Sequence, residues 1–187
     1  MEGYKMEQQY LYTDRLLLRK FTIDDHEDLY EYLSNSKVVK YEPYDTYTME
    51  ECIEEVKFRA EDENQRFWAV CLKENKKVIG HVYFNQEEPM EFNTWELGYV
   101  FNPKFYGQGY ATEACRRILK YGFEEKKAHR IVAGANVKNE SSWKLLERLY
   151  MRREGHMLQN VFFKRTLDGE PVWNDSYRYG ILYEEYR

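Results

Sequence analysis

A chain of 187 residues, 43% hydrophobic and 33% charged, is long enough to bury a real core and reads as one domain spanning 1–187. Its net charge of -5 disfavours direct nucleic-acid binding and is compatible with a cationic acceptor such as an amine. No apolar run approaches the length of a membrane span, and residues 1–10 are polar with no signal-peptide core, so a cytoplasmic protein without a membrane partner is expected.

Residues 16–21 are apolar enough for a first strand. Thr22 can cap the next helix, because Asp24 and Asp25 in its first turn complement the helix dipole. His26, Leu29, Tyr30 and Leu33 share one face of that helix, with His26 read as a partly buried face residue, and Ser34-Asn35-Ser36 ends it. Residues 41–45 form a loop. Thr48-x-x-Glu51 has the form of a capping box, and Met49, Cys52, Ile53, Val56 and Ala60 mark a second amphipathic helix. Residues 67–72 and 78–84 read as a hairpin around the polar turn 73–77, followed by another turn at 86–89. Residues 94–101 form the next strand, with Glu96, Gly98 and Val100 on one face and Trp95, Leu97, Tyr99 and Phe101 on the other. Cys52, Cys71 and Cys115 have no metal-binding or redox spacing and fall on apolar stripes or strands, so they read as buried free thiols, and no metal is expected.

The stretch 100–112 joins that strand to a helix marked by Ala111, Ala114, Cys115, Ile118, Leu119 and Gly122. Gly107 and Gly109 lie at the turn, where a backbone can approach a ligand closely and the first helix amides lack carbonyl partners. Such a site suits a phosphate or diphosphate, although a Gly-x-Gly is equally at home in an ordinary turn. No Gly-Lys-Ser/Thr closes the loop, so it is not a P-loop, and Thr112 stands where a dinucleotide fingerprint has its third glycine. Glu96-Leu97-Gly98-Tyr99 followed by Asn102-Pro103-x-x-Tyr106-Gly107-Gln108-Gly109-Tyr110-Ala111-Thr112-Glu113-Ala114 resembles the acetyl-coenzyme A motif of the GNAT superfamily of N-acetyltransferases. The resemblance is greatest to the branch that includes ribosomal-protein-alanine N-acetyltransferases. Gly109 and Ala111 match the last two positions of the pattern Arg/Gln-x-x-Gly-x-Gly/Ala. Tyr106 departs from it, with an aromatic that is common in that branch.

The helix is expected to run to about Glu125, and residues 130–136 form the next strand. Asn139 is placed to cap a helix through Leu149, with Ser142, Leu145, Leu146 and Leu149 along one face. The run from Asn139 to Gly155 resembles the second coenzyme-binding motif of the same family. Tyr150 stands where that motif has glycine, so the helix is expected to lack a left-handed glycine cap. Two strands, about 157–164 and 177–183, close the chain around an Asp168-Gly169 turn. Trp173-x-Asp175-x-Tyr177 resembles the family's ending, and the resemblance covers about 11–184.

The resemblance implies a mixed α/β (α+β) fold, with a mostly antiparallel central sheet splayed in the middle and helices on both faces. It implies acetyl-CoA as co-substrate, its diphosphate held by Tyr106, Gly107, Gln108, Gly109, Tyr110, Ala111 and Thr112. Its pantetheine arm lies along Tyr99, Val100 and Phe101, with Asn139, Ser142 and Trp143 alongside. An amide near Tyr99 or Val100 faces the thioester carbonyl. Glu96 is the first candidate for general base; a solvated or purely substrate-binding carboxylate is the competing role. Ser142 is the candidate proton donor or hydrogen-bond partner of the thiolate, or a structural hydroxyl of the helix. Tyr41 and Tyr44 belong to the region that borders the acceptor site in the family, and His81 and Asp175 are further candidates to reach it. The expected acceptor is a primary amine, either a peptide N-terminus or a small molecule such as a polyamine or aminoglycoside, and the protein is a monomer or homodimer. A non-catalytic acyl-CoA-binding module and an unrelated phosphate-binding protein are the alternatives from other classes.

Overall fold

The computed structural model describes residues 9–186, so most of the polar stretch 1–10 lies outside the described residues. The elements in chain order are β1 (Leu11–Tyr12), β2 (Leu16–Arg19), α1 (His26–Leu33), α2 (Met49–Glu61), β3 (Phe67–Leu72), β4 (Val78–Gln86), β5 (Thr94–Phe101), α3 (Tyr110–Lys120), β6 (Arg130–Asn136), α4 (Glu140–Arg148), β7 (Arg152–Arg165) and β8 (Pro171–Leu182). The strands form one eight-stranded sheet in the order β1-β2-β3-β4-β5-β6-β8-β7. The β5–β6 pair is parallel and the others are antiparallel.

That parallel pair gives the sheet its shape. β5 and β6 pair only at Thr94↔Arg130, Trp95↔Ile131 and Glu96↔Val132. Beyond this point β5 stays with β4 as far as Phe101, while β6 stays with β8 as far as Asn136. The sheet therefore opens into a V, as the resemblance implied. The alternation along β5 sorts its side chains between two cores. Leu97 and Phe101 join Cys115, Ile118, Leu145 and Ile131 beneath α3 and α4. Val100 joins Leu29, Leu33, Cys52 and Val56 beneath α1 and α2 on the other face. All three cysteines are buried free thiols, and burial pushes Cys52 and Cys71 up to about 11. Among the described residues no helix is long and apolar enough to cross a membrane.

The structure departs from the sequence reading in four places. β1 is a two-residue strand, too short to leave a periodic signal. β2 stops at Arg19, and Thr22 opens a 3-10 turn, Ile23–Asp25, in which the Asp25 carboxylate accepts from the Thr22 amide at 2.7 Å and clamps Arg19 at 2.7 Å. β7 begins at Arg152 and β8 at Pro171, because most of this hairpin is exposed and its pairing leaves little burial pattern to read. Finally, α4 keeps its left-handed exit without glycine. Tyr150 itself takes φ 61°, with Met151 N donating to Leu146 O at 3.1 Å and Tyr150 N to Glu147 O at 3.0 Å. These two bonds form a Schellman ending, and the exposed Tyr150 ring meets little steric opposition there.

α3 continues into a π-helical turn, Tyr121–Glu125, that brings Gly122 against β4 and β6. A Cβ on Gly122 would stand 2.6 Å from Phe84 Cζ and 2.8 Å from Ile131 Cδ1, both in buried residues. Gly122→Ala is expected to destabilise the protein by about 1–3 kcal/mol through overpacking, seen as a lower urea midpoint with an unchanged m-value.

Candidate active site

The V between β5 and β6 opens into two cavities, of about 600 Å³ on the α3 side and about 840 Å³ on the α2 and β7 side. Tyr41, Glu42, Tyr99, Val100, Asn139 and Ser142 line both, so the two spaces meet at these six residues.

The smaller cavity is built on the turn after β5. Asn102 Oδ1 accepts from the Lys104 amide at 3.0 Å and shapes a 3-10 turn, Pro103–Phe105. Gly107 and Gly109 then adopt φ 76° and 83°, and Gly109 caps α3. The first helical bond there is Glu113 N to Gly109 O at 3.0 Å, so the amides of Tyr110, Ala111 and Thr112 have no helical carbonyl to serve. Arg15 holds the loop from outside. Its Nη1 donates to Gln108 O at 2.9 Å, its Nε donates to Glu113 Oε2 at 2.7 Å, and its guanidinium lies 4.4 Å from the Tyr110 ring centroid. Val38, Phe101, Phe105 and Leu145 supply apolar wall, and Lys37 and Arg148 supply positive charge. Free helix-start amides, nearby cations and an apolar channel fit a diphosphate with a long thin apolar arm.

Most of the expected coenzyme residues come together here. Tyr99, Val100, Phe101, Tyr106, Gly107, Gly109, Tyr110, Ala111, Thr112, Asn139 and Ser142 all line this cavity. Gln108 and Trp143 line neither cavity. Gln108 spends its carbonyl on Arg15. Trp143, one position past Ser142 on α4, turns to the sheet side, where its Nε1 donates to Val137 O at 3.1 Å and the Arg153 guanidinium lies 5.2 Å from its ring centroid.

At the junction, the Tyr99 hydroxyl donates to Ser142 O at 2.9 Å and lies 3.1 Å from Ser142 Oγ. Burial pushes the Tyr99 phenol far above its ordinary range, so it stays a proton donor. Asn139 Oδ1 accepts from the Ser142 amide at 3.3 Å, which makes Asn139 both the α4 cap and a wall of the junction. Glu42 lies just after a 3-10 turn, Val39–Tyr41, and is the one carboxylate among the six shared residues. Burial pushes its carboxyl up to about 7. Sequence reasoning missed Glu42 because a loop has no periodicity. The available signal was a single carboxylate set among Tyr41, Pro43 and Tyr44.

The larger cleft is walled by aromatic side chains, and Tyr41, Tyr44 and His81, three of the four candidates named for the acceptor region, line it. His81 is buried, with Nδ1 2.8 Å from the Tyr32 hydroxyl; burial first, and then Arg59, hold it well below its ordinary value, so it is neutral. Glu96 lines this cleft alone, its side chain 39% exposed and 3.6 Å from Arg178 Nη1. Burial and then Glu87 raise its pKa, opposed by Arg178. Lys164 Nζ donates to Tyr44 O at 2.9 Å and pairs with Asp45, tying β7 to the 41–45 loop beside the cleft. Asp175 lines neither cavity. It accepts from the Gln159 amide at 2.8 Å and lies 3.2 Å from His156 Nε2. His26 also lies outside both cavities, its Nδ1 2.9 Å from Ile23 O.

Comparison with known proteins agrees with this geometry. The family model described as "Acetyltransferase (GNAT) domain" matches residues 15–152. The chain is 38% identical over 174 residues to the uncharacterized N-acetyltransferase YnaD of Bacillus subtilis (strain 168), covering 93% of this chain and 97% of that protein. It is 37% identical to an acetyltransferase (GNAT family) from Bacillus anthracis of known crystal structure, with a TM-score of 0.84 over 95% of this chain and 100% of the other. The spermidine N-acetyltransferase of Vibrio cholerae, solved with CoA and spermine, shares the fold at 24% identity and a TM-score of 0.76, covering 93% of this chain and 99% of that one. With the matched domain running from β2 through α4 and so across both arms of the sheet's V, the chain belongs to the GNAT family of acetyltransferases and is an N-acetyltransferase with acetyl-CoA as its co-substrate.

Proposed function

We propose that the chain acetylates a primary amine held in the larger cleft, with a peptide N-terminal α-amine as the leading acceptor class. The observation that carries this reading is the meeting of two cavities at Tyr41, Glu42, Tyr99, Val100, Asn139 and Ser142. One space suits acetyl-CoA and the other a second substrate, so both are held at once and the amine attacks directly in a ternary complex. Holding the two in contact supplies the proximity that acyl transfer needs.

Acetyl-CoA supplies the activated acyl carbon. The acceptor reacts as the neutral amine, its ammonium proton lost to water, and ionised Glu42 takes the N–H proton that the nitrogen gives up as the new N–C bond forms. As the C–S bond breaks, the hydroxyl pair of Tyr99 and Ser142 passes a proton to the sulfur and recovers one from protonated Glu42 by way of solvent, so that the products are the N-acetylated amine and the CoA thiol. A β5 amide near Tyr99 or Val100, on the side that β6 leaves unpaired, serves the acyl oxygen. Glu96, in the same cleft as the amine, attracts the cation.

The test is twofold. At a hundred times its dissociation constant, acetyl-CoA is expected to stabilise the protein by about 2.7 kcal/mol, with ATP and NAD as controls. Release of the CoA thiol is then followed with peptides bearing free N-termini, polyamines and aminoglycosides. Saturable turnover of peptides is expected. Turnover confined to polyamines or aminoglycosides would reassign the acceptor, and no thermal response to acetyl-CoA would remove the diphosphate assignment of residues 106–112.

A further inference from the structure

Arg59 sits in the last turn of α2, 2% exposed, in the wall of the larger cleft. Its Nε donates to Glu55 Oε1 at 2.7 Å, and its guanidinium lies 4.3 Å from the Phe67 ring centroid and 5.1 Å from that of Phe21. Nη1 is buried and has no hydrogen-bond partner. Among the described residues, buried side-chain nitrogens without a partner occur at Arg59, Gln65, Asn102 and Arg117, and of these Arg59 alone lines either cavity. A guanidinium stays charged, and its unused N–H bonds are donors that a bound molecule can satisfy.

The surroundings select what fills this position. Glu55 already balances the charge, so the missing element is a hydrogen-bond acceptor rather than a counter-ion. Glu42, Glu55 and Glu96 outnumber Arg59 and Arg178 in the cleft, which disfavours a carboxylate and favours a cationic amine. His81 is neutral with one ring nitrogen engaged by Tyr32, and Tyr44 and Tyr47 pack edge to face at 5.3 Å. An uncharged oxygen is therefore the complementary group.

Resting on the transferase reading above, we infer that Arg59 determines acceptor specificity: its free guanidinium N–H receives an uncharged oxygen of the substrate, namely an amide carbonyl. Preferred acceptors are then amines that carry such a carbonyl. Fully protonated polyamines offer donors alone and leave Arg59 unfilled.

The test compares glycinamide with n-propylamine, which share a primary amine and differ in the carbonyl. The quantity is the ratio of their kcat/KM values in the wild type and in Arg59 variants, which cancels the intrinsic difference in amine basicity. Wild type is expected to favour glycinamide. In Arg59→Met that preference falls by about 10- to 100-fold, mostly through KM for glycinamide, the loss expected for a hydrogen bond to a charged group. Because Arg59→Met leaves Glu55 without its partner, Arg59→Lys is run beside it. Lysine keeps the charge but not the forked donor, and a partial loss of preference is expected. Thermal stabilisation by acetyl-CoA verifies that each variant is folded. An unchanged ratio in a folded variant, or no preference in the wild type, overturns the inference and leaves the transferase reading standing. Wild type that binds acetyl-CoA yet turns over neither these amines nor any peptide, polyamine or aminoglycoside overturns both.

Discussion

Replacing Glu42 by glutamine is expected to lower kcat/KM for a peptide amine by about 10²-fold, the lower end of what a positioned general base contributes. The expectation rests on place first. The proton must leave the amine where the two cavities meet, and Glu42 is the one carboxylate among the residues that line both. Among the described residues the Glu42 side chain makes no ion pair or hydrogen bond, whereas Glu96 has Arg178 at 3.6 Å. With its carboxyl at about 7, Glu42 is largely ionised at pH 8 and protonated at pH 6. The α-amine of a peptide ionises near 8. The wild-type plot of log kcat/KM against pH should therefore steepen to a slope of about 2 below pH 7, because two groups must lose protons. In Glu42→Gln the slope should fall to about 1. Glu96→Gln should act mainly on KM and keep the steeper limb. If Glu96→Gln flattens the limb and Glu42→Gln does not, the base is Glu96.

The same substitution has an opposite effect on stability, which separates a functional carboxylate from a structural one. Glu42 is pushed up by burial, so its neutral form is favoured in the fold. Between about pH 4.3 and 7 the folded state binds the proton that the unfolded state has released. Stability therefore declines as pH rises through that window and levels off above it. By pH 8 the ionised carboxylate has removed up to about 3 kcal/mol, and Glu42→Gln should recover part of this. A variant that is slower yet melts higher at pH 8, with the gain fading towards pH 4, is the expected result. A lower melting temperature at pH 8 would mean that Glu42 serves the fold through contacts of its ionised form.

How much of this was legible in the sequence follows from how each feature is encoded. β5 and β6 were read to the residue, because each is a period-2 or continuous apolar run bounded by turn residues. The α3 cradle was legible because local geometry makes it: glycines at positive φ followed by a helix start. Asn139 was legible as a cap for the same reason. Glu42 and Arg59 were not. A glutamate in a loop and an arginine on a helix look solvated in sequence, and only the packing of the 41–45 loop and α2 around the splayed sheet half-buries the first and buries the second. Trp143, expected beside the coenzyme, lines neither cavity because it stands one position past Ser142 on α4, where one residue is a rotation of about 100°. Tyr150 shows the reverse: the family's glycine is missing, yet the Schellman bonds close α4 with Tyr150 itself at positive φ.

Gly109→Val is the second large effect expected, and it falls on acetyl-CoA affinity. Gly109 holds φ 83° as the residue before α3, and a β-branched side chain is strongly disfavoured there. Space is not the obstacle, since the nearest atom to a Cβ would be Arg15 Nη2 at 3.4 Å, the end of a flexible chain. The obstacle is the backbone. Relieving the strain rotates the peptide that precedes Tyr110 and turns the free amides of Tyr110, Ala111 and Thr112 off their common direction. Losing one charge-assisted amide bond to a phosphate should weaken acetyl-CoA binding by about 10- to 100-fold, measured by titration calorimetry. Gly169 provides the matched control. It holds φ 85° in the β7–β8 turn with nothing within 4 Å of a Cβ, so Gly169→Val carries similar backbone strain away from the cradle. Both variants should lose about 1–2 kcal/mol of stability, whereas only Gly109→Val should lose affinity. Equal affinity in the two variants would show that the α3 amides do not hold the diphosphate, and binding would then have to rest on Lys37 and Arg148 alone.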